Sequence, residues 1–192
     1  RFDHWFQKRR PPALLQNPLG KAACGLQPAE SQGENRGSTS RGRAILWDDC
    51  FVRYNEPEIG RAAVRVLEAA GYEVLLPEGR VCCGRPAFSM GRLDLAARFG
   101  RHNVSLLKDR TEPILFLEAS CYSMFLEDYR ELRIPDAEAV AARVFLFEDF
   151  VHRLLDDAPD ALVFDATPRT TAIHAHCHAK ALSDTTILPR LA

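Results

Sequence analysis

The chain has 192 residues, of which 46% are hydrophobic and 27% are charged, so most of it can bury an apolar core. Its formal net charge of −1 is unevenly spread, with +5 over residues 1–43 and −6 over the remainder. The acidic remainder argues against nucleic acid as the main partner. No apolar run approaches the roughly 20 residues of a membrane-spanning helix, and the start lacks the apolar core of a signal peptide.

The first 42 residues are predicted to be a docking segment followed by a flexible linker. Residues 1–10 combine aromatic and basic side chains in one short stretch, whereas 11–42 are rich in Pro, Gly, Ser and polar residues. Cys24 lies in this linker and is not expected to bind a metal. Because the chain begins at Arg1 and not at Met, we expect it to be a fragment of a longer protein.

From residue 43 onward, the pattern predicts alternating strands and helices. Short apolar runs predict four strands, at 43–47, 72–76, 113–118 and 171–176. Apolar side chains at helical spacing predict helices over 59–70, 93–107, 124–129 and most of 137–156. Such alternation is typical of parallel strands joined by right-handed crossovers. We therefore predict an α/β fold, with a parallel sheet covered by helices on both faces.

Five of the six cysteines come just after a predicted strand. They are Cys50, the adjacent pair Cys82 and Cys83, Cys121, and Cys177. The carboxyl ends of parallel strands lie along one edge of the sheet, where such folds bind ligands. We therefore expect the cysteine loops to gather at this edge, close to helix N-termini that favour thiolates.

The spacing of these cysteines indicates what they would hold. Thiolates select zinc, Cu(I) or iron–sulfur clusters, and structural zinc sites usually use spacings of two to four residues. Here 31 residues separate Cys50 from Cys82, and 37 separate Cys83 from Cys121. The adjacent side chains of Cys82 and Cys83 diverge, which suits a multi-iron cluster better than one tetrahedral ion. A disulfide framework is the weaker interpretation, because no secretory signal is present.

The residues after the cysteine pair are predicted to shape its loop. Gly84 would let the backbone approach a bound group closely, Arg85 would offset thiolate charge, and Pro86 would stiffen the exit of the loop. Asp48 and Asp49 are expected to cap the turn before Cys50.

The role of the three histidines near the end of the chain remains open, and one methionine is assigned to the core. His174, His176 and His178 alternate and would share one face of a strand, where metal binding and packing are both compatible with imidazole. Met124 is expected to be a core residue and not a thioether ligand.

The order Cys50, then Cys82-Cys83-Gly84, then Cys121 resembles the cysteine-rich CCG domain of iron–sulfur oxidoreductases. That domain occurs in heterodisulfide reductase, glycolate oxidase and anaerobic glycerol-3-phosphate dehydrogenase subunits and in lactate-utilisation proteins. The stretches "YNEPEIGRAAVRVLEAAGYEV", "CCGRPAFSMGRLDLAAR", "LEASC" and "HAHCHAKAL" look most like the C-terminal part of bacterial FAD-linked oxidases of the D-lactate or D-2-hydroxy acid dehydrogenase type. The resemblance covers 43–182 well and 1–10 loosely.

This resemblance implies a first CCG module at 43–168 and the start of a second module at 169–192. It implies a 4Fe-4S type cluster in the full-length protein, with Gly84, Arg85 and Pro86 beside it and with these ligands: Cys50, Cys82, Cys83, Cys121 and Cys177. FAD would be bound by an upstream domain, next to ferredoxin-like modules or subunits.

The implied function is electron transfer from a flavin-linked dehydrogenase of a lactate- or glycolate-type 2-hydroxy acid to a quinone or a carrier protein. The implied location is the cytoplasm or the inner face of the membrane. The alternatives are a zinc- or thiol-based structural module and a module that has lost its cluster and serves as an interaction surface. Many CCG modules end in Cys-x-x-Cys, where this chain has Met124 in place of the last cysteine. The fragment alone is therefore expected to hold little intact cluster and to lack catalytic activity.

Overall fold

The structure is a computed structural model that describes residues 40–164 and 170–192. The predicted docking segment, Cys24 and nearly all of the predicted linker lie outside the described residues. Within these residues, no helix has the length and apolar character needed to cross a membrane.

A parallel sheet forms the centre of the described residues. Its strands are β1 (Gly42–Trp47), β2 (Tyr72–Leu75), β3 (Ile114–Phe116) and β4 (Val144–Leu146), arranged in the order β2-β1-β3-β4. Ile45 of β1 pairs with Leu75 on one side and with Ile114 on the other, and every pairing is parallel. The predicted α/β fold with a parallel sheet is confirmed.

Helices connect the strands and continue to the end of the chain. They are α1 (Cys50–Tyr54), α2 (Pro57–Ala69), α3 (Arg85–Ser89), α4 (Leu93–Leu107), α5 (Ala119–Ser123), α6 (Tyr129–Glu131), α7 (Ala137–Ala141), α8 (Phe147–Asp157), α9 (Cys177–Leu182) and α10 (Leu188–Leu191). A π-helical turn at Met124–Asp128 joins α5 to α6, and 3₁₀ turns lie at Pro159–Ala161 and Thr185–Ile187.

Side chains of the sheet alternate between two buried clusters, as strand geometry requires. Ile45 and Trp47 of β1 belong to one cluster, together with side chains of α4 to α7. Ala44 and Leu46 face the other cluster, which contains Leu67 of α2 and is packed by aromatic side chains of α8. Because both faces of β1 are covered, this strand reads as a continuous apolar run.

One secondary-structure prediction was wrong, and one strand was missed. Residues 137–156 are largely helical, as predicted, but they also contain the unpredicted β4 between α7 and α8. The run Val144–Leu146 is too short to give a strand period, and it is a strand because β3 offers a free edge. Residues 171–176, expected to be a strand, pair with no strand among the described residues and are largely exposed, so they stay extended without a ladder.

The strand order determines where a ligand site would lie. From the central β1 the chain passes first to β2 on one side, and then returns to β3 on the other. A reversal of this kind opens a crevice between the carboxyl ends of β1 and β3. The loops after β1, β2 and β3 all emerge at this edge.

Substituting Gly100 is expected to weaken the packing of α4. A Cβ at this position would overlap Ile134 and would lie 2.8 Å from Tyr129 Cε1, and both side chains are buried. Gly100→Ala should therefore lower the free energy of unfolding by roughly 1–3 kcal/mol, measured by urea denaturation. In an uncrowded helix the same change stabilises by about 1 kcal/mol, so stabilisation would contradict the predicted overlap. The exposed neighbour Arg101 provides the control variant Arg101→Ala, which should change stability little.

Candidate metal centre

The first thiol lies where β1 gives way to α1. Asp49 is the N-cap of α1, and its Oδ1 accepts hydrogen bonds from the backbone N–H of Phe51 at 2.7 Å and of Val52 at 3.1 Å. This cap makes Cys50 the first residue of α1. The predicted capping role of Asp49 is confirmed.

Asp48 has a different role from the predicted cap. Its fully buried carboxylate accepts hydrogen bonds from Arg80 Nε at 2.9 Å and from Arg53 Nε at 2.6 Å. Arg80 Nη2 also donates to the backbone carbonyls of Asp48 and Asp49. Asp48 therefore ties the loop before the cysteine pair to the end of β1, which sequence reasoning did not predict.

Asn103 holds the backbone on which the cysteine pair is carried. This fully buried side chain of α4 accepts a hydrogen bond from the Val81 N–H at 3.0 Å and donates to the Cys82 carbonyl at 3.1 Å. It thus supplies a donor and an acceptor to a loop that has no strand partner. These hydrogen bonds hold the loop from the helix layer, in addition to the tie between Arg80 and Asp48 at the end of β1.

Two further contacts fix the second half of the loop. The Tyr129 hydroxyl donates to the Cys83 carbonyl at 2.6 Å. Gly84 has a φ of +92°, and a Cβ there would lie 3.3 Å from Ala96 Cα. The backbone at Gly84 therefore approaches α4 too closely for a larger residue in this left-handed conformation. Its predicted place beside a bound group stays a prediction.

The last thiol of this edge comes from α5. Glu118, which follows β3, caps α5 by accepting a hydrogen bond from the Ser120 N–H at 2.8 Å. This cap places Cys121 in the first turn of α5. Cys121 is buried among the residues of the larger core cluster.

Together, the loops bring four thiols into a row. The thiols of Cys50 and Cys82 lie close enough to shift each other's pKa values, as do those of Cys82 and Cys83, and the Sγ atoms of Cys83 and Cys121 are 3.1 Å apart. Cys83 and Cys121 are buried, whereas Cys50 and Cys82 are partly exposed. The row therefore runs from the surface into the core.

The row differs from a preformed site for a single ion. A single-ion site needs at least three ligand atoms of Cys, His, Asp or Glu close to one another. Among the described residues, only His176, Cys177 and His178 have three such atoms all within 4.8 Å of one another. No three of the four thiols are therefore that close together. A tetrahedral zinc ion with Zn–S bonds of about 2.3 Å needs all its sulfurs roughly 3.8 Å apart. The extended row better matches the wider spacing of a multi-metal group.

All four thiols have raised pKa values. The hydrogen bond to Cys82, followed by burial, raises the pKa of Cys50. The hydrogen bond from Cys50 lowers the pKa of Cys82, but the bond to Cys83 and burial outweigh it and raise that pKa to about 11. The hydrogen bond between Cys121 and Cys83 raises the pKa of Cys83 well above its ordinary range. The same bond lowers the pKa of Cys121, but burial leaves it raised. Metal binding would therefore release protons from this row.

Arg85 and Pro86 lie at the start of α3, directly after the pair. Arg85 Nη2 donates to Ser123 Oγ at 2.5 Å and forms an ion pair with Asp128. These partners clamp the cysteine loop to the helical segment that carries Cys121. The predicted electrostatic role of Arg85 and the stiffening role of Pro86 stay predictions.

Cys177 is separate from the row described above. The expectation that it follows a strand was wrong: it is exposed and is the first residue of α9, with His176 as the N-cap. Residues 172–176 line part of a cavity of about 430 Å³ next to Glu118 and Glu148. His176 is the N-cap of α9 and His178 lies in that helix, so these residues do not share a strand face; their rings stack with centroids 5.2 Å apart.

Met124 is fully buried in the larger core cluster, as predicted. It begins the π-helical turn that follows α5. Its predicted core role is confirmed.

Removing the Asn103 side chain is expected to loosen the cysteine loop. Asn103→Ala would leave the Val81 N–H and the Cys82 carbonyl without this partner, at a cost of roughly 1–3 kcal/mol in the free energy of unfolding. Hydrogen exchange of the amides at 80–84 should accelerate more than that of β1. Ser105→Ala, at an exposed position of the same helix, is the control. Unchanged exchange in Asn103→Ala would show that the loop is held by other contacts.

Sequence reasoning missed Arg80, Asn103 and Tyr129. Each acts over a separation of more than 20 residues, so no local spacing marks it. The only available signal was a polar residue at the core-facing position of a helix, which Asn103 occupies between Gly100 and Val104.

The comparisons agree with this geometry. Residues 44–126 match the family model described as the cysteine-rich CCG domain, and the predicted resemblance is confirmed. The match spans Cys50, Cys82, Cys83 and Cys121. No solved structure is significantly similar to the chain.

Curated relatives carry names from lactate utilisation. Lactate utilization protein A 1 of Bacillus cereus (strain AH820) is 31% identical over 153 residues, which are 77% of this chain and 62% of the relative. Lactate utilization protein A of Bacillus thuringiensis (strain Al Hakam) matches with the same identity and coverage. The chain thus spans less than two thirds of the length of these relatives.

Proposed function

We propose that this chain is an iron–sulfur electron-transfer module of a flavin-linked dehydrogenase that oxidises a small 2-hydroxy acid of the lactate type. The observation that carries the proposal is the row of Cys50, Cys82, Cys83 and Cys121 at the ligand-binding edge of the sheet. Thiolates are the usual protein ligands of iron–sulfur clusters.

The donor set fits such a cluster. Four thiols from three loops converge without a short Cys-x-x-Cys pair, and their extended arrangement suits several metal ions better than one. A cluster held here would supply one-electron transfer. Cys50, Cys82, Cys83 and Cys121 are the proposed ligands, and Cys177 is proposed as a further ligand in the full-length protein.

The residues around the row would govern access to it. Cys83 and Cys121 are buried and exclude water, whereas Cys50 and Cys82 reach toward the surface. We therefore place the exchange of electrons with partners at the Cys50–Cys82 end. The hydrogen bonds from Asn103 and Tyr129 hold the backbone of the cysteine pair in place, which limits rearrangement between redox states.

The substrate class is supported by the relatives and not by the geometry. Two bacterial relatives are named for lactate utilisation, and the chain spans only part of their length. A 2-hydroxy acid, FAD on an upstream domain, ferredoxin-like modules or subunits and a quinone or protein acceptor belong to the proposal for the whole protein. The division into a first module at 43–168 and the start of a second at 169–192 is proposed with it.

Anaerobic purification of the full-length protein tests this proposal. Iron and acid-labile sulfide should be present together, zinc should be substoichiometric, and lactate should bleach the visible absorption of the oxidised protein. Zinc without sulfide would instead indicate the structural alternative. Absence of every metal after anaerobic reconstitution with iron and sulfide would overturn the iron–sulfur assignment.

A further inference from the structure

Cys83 and Cys121 are in direct contact inside the core. Their Sγ atoms lie 3.1 Å apart, although 38 positions separate the two residues in the chain. Cys83 is only 4% exposed and Cys121 only 7%, and both belong to the larger core cluster. The S–S bond of a disulfide is about 2.05 Å long, so the two sulfurs are about 1 Å short of bonding distance.

The backbone on both sides of this contact is fixed. The Tyr129 hydroxyl donates a hydrogen bond to the Cys83 carbonyl at 2.6 Å. Two residues after Cys83, Arg85 Nη2 donates to Ser123 Oγ at 2.5 Å, which ties the cysteine loop to α5, the helix that carries Cys121. The fold therefore holds the two thiols together and does not leave their encounter to motion of the loop.

We propose that Cys83 and Cys121 of the metal-free protein form a reversible disulfide in the presence of a peroxide, and that this disulfide closes the metal centre until it is reduced. The disulfide itself goes beyond the proposed function and does not depend on it. Its effect on metal loading rests on the proposed function, since that effect requires Cys83 and Cys121 to be ligands.

Hydrogen peroxide is the oxidant for this reaction, and it is small enough to reach thiols that are nearly buried. The sulfur of one thiol attacks the O–O bond, which breaks; an S–O bond forms, and the products are a sulfenic acid and one water. The second sulfur then attacks the sulfenic sulfur, so that the S–S bond forms, the S–O bond breaks and a second water leaves. The two thiols thus lose two electrons to the peroxide, and the two waters carry away the thiol hydrogens.

The contact between the sulfurs determines what happens to the sulfenic acid. Further oxidation would give a sulfinic acid, which is irreversible in most proteins. Here the second sulfur already lies 3.1 Å away, and groups held in reacting geometry have effective concentrations far above those reached in solution. Disulfide formation is therefore faster than further oxidation, and a dithiol reductant restores both thiols by exchange.

The disulfide would remove two of the four proposed ligands at once. Metal ions are bound by thiolates, and iron–sulfur clusters are usually held by four of them. Cys50 and Cys82 alone would not complete such a set. The oxidised centre therefore takes up no cluster, while its two buried ligands are protected from irreversible oxidation.

The variants separate this pair from the other thiols of the row. Trypsin releases Cys82 and Cys83 in one peptide and Cys121 in another. Because Cys82 shares the peptide of Cys83, the double variant Cys50→Ser/Cys82→Ser leaves Cys83 and Cys121 as the two thiols of the row that can pair. Cys121→Ser is the matched control, because it removes one sulfur of the contact.

The experiment treats the metal-free full-length protein with hydrogen peroxide, alkylates the remaining thiols and identifies linked tryptic peptides by mass spectrometry. We expect a link between Cys83 and Cys121 in wild type and in the double variant, and no such link in Cys121→Ser. The link should form faster in folded protein than in protein unfolded by urea. Uptake of iron, supplied with sulfide, should be lost in the oxidised protein and return after dithiothreitol treatment. The linked peptide is mapped again after loading, because sulfide can itself reduce a disulfide.

The outcomes separate this inference from the proposed function. Sulfinic acid at either residue without a linked peptide overturns the disulfide, as does a link that forms no faster in the folded protein than in the unfolded one. If the double variant does not fold, fragmentation of the linked wild-type peptide decides: a bond at Cys83 supports the inference, and a bond at Cys82 overturns it. Undiminished iron uptake while the link persists overturns the control of metal loading. A reduced wild type that takes up no iron defeats the proposed function, and peptide mapping still decides whether the disulfide forms.

Discussion

Replacing Cys83 by Ser in the full-length protein is expected to abolish iron retention while leaving the helical content close to wild type. Cys83 lies inside the row, with Cys82 on one side and the Cys121 sulfur 3.1 Å away on the other. A serine hydroxyl is a poor substitute for a thiolate ligand of iron. The measurement is iron and sulfide per protein after anaerobic purification, with circular dichroism to report folding.

Met124→Leu is the matched control for Cys83→Ser. Met124 is fully buried and stands where many CCG modules have a cysteine, but a Met-to-Leu change conserves volume and usually costs less than about 1.5 kcal/mol. This variant should keep its iron. Iron loss in Met124→Leu together with retention in Cys83→Ser would reverse the two assignments.

The fold was predictable because its signals are local. Apolar runs such as Arg43–Trp47 and the helical spacing from Ile59 to Ala70 each fall within one element. A topological rule then places the residues after parallel strands at one edge of the sheet. The prediction that Cys50, Cys82 and Cys121 lie on the same side of the molecule rested on this rule alone, without any knowledge of contacts.

What failed depended on partners that a single stretch of sequence does not contain. Residues 144–146 form a strand because β3 offers them an edge, whereas 171–176 have the alternating pattern of a strand but pair with no strand among the described residues. Cys177 was misplaced for this reason. Arg80 was missed because its role arises from its contact with Asp48, 32 positions earlier in the chain.

The second large effect is expected in the metal-free protein, whose stability should fall steeply as the pH rises above about 9. The four thiols have pKa values raised in the folded state, for Cys82 to about 11, so they stay protonated when the unfolded chain ionises near 8.5–9. Raised folded pKa values add stability below the unfolded pKa, and that stability is lost as the pH approaches the folded values. Each such thiol contributes about 1.4 kcal/mol per pH unit in this window.

Urea unfolding of reduced, metal-free protein between about pH 8 and 9.5 measures this slope, and the upper limit keeps most tyrosine side chains of the unfolded chain protonated, because their pKa is about 10. In the double variant Cys50→Ser/Cys82→Ser, two of the four titrating groups are absent, so the slope should fall by roughly half. The iron-loaded protein should lack the slope, because its ligand thiolates are already deprotonated. A metal-free protein with constant stability across this range would show that the thiols ionise as readily in the folded state as in the unfolded one.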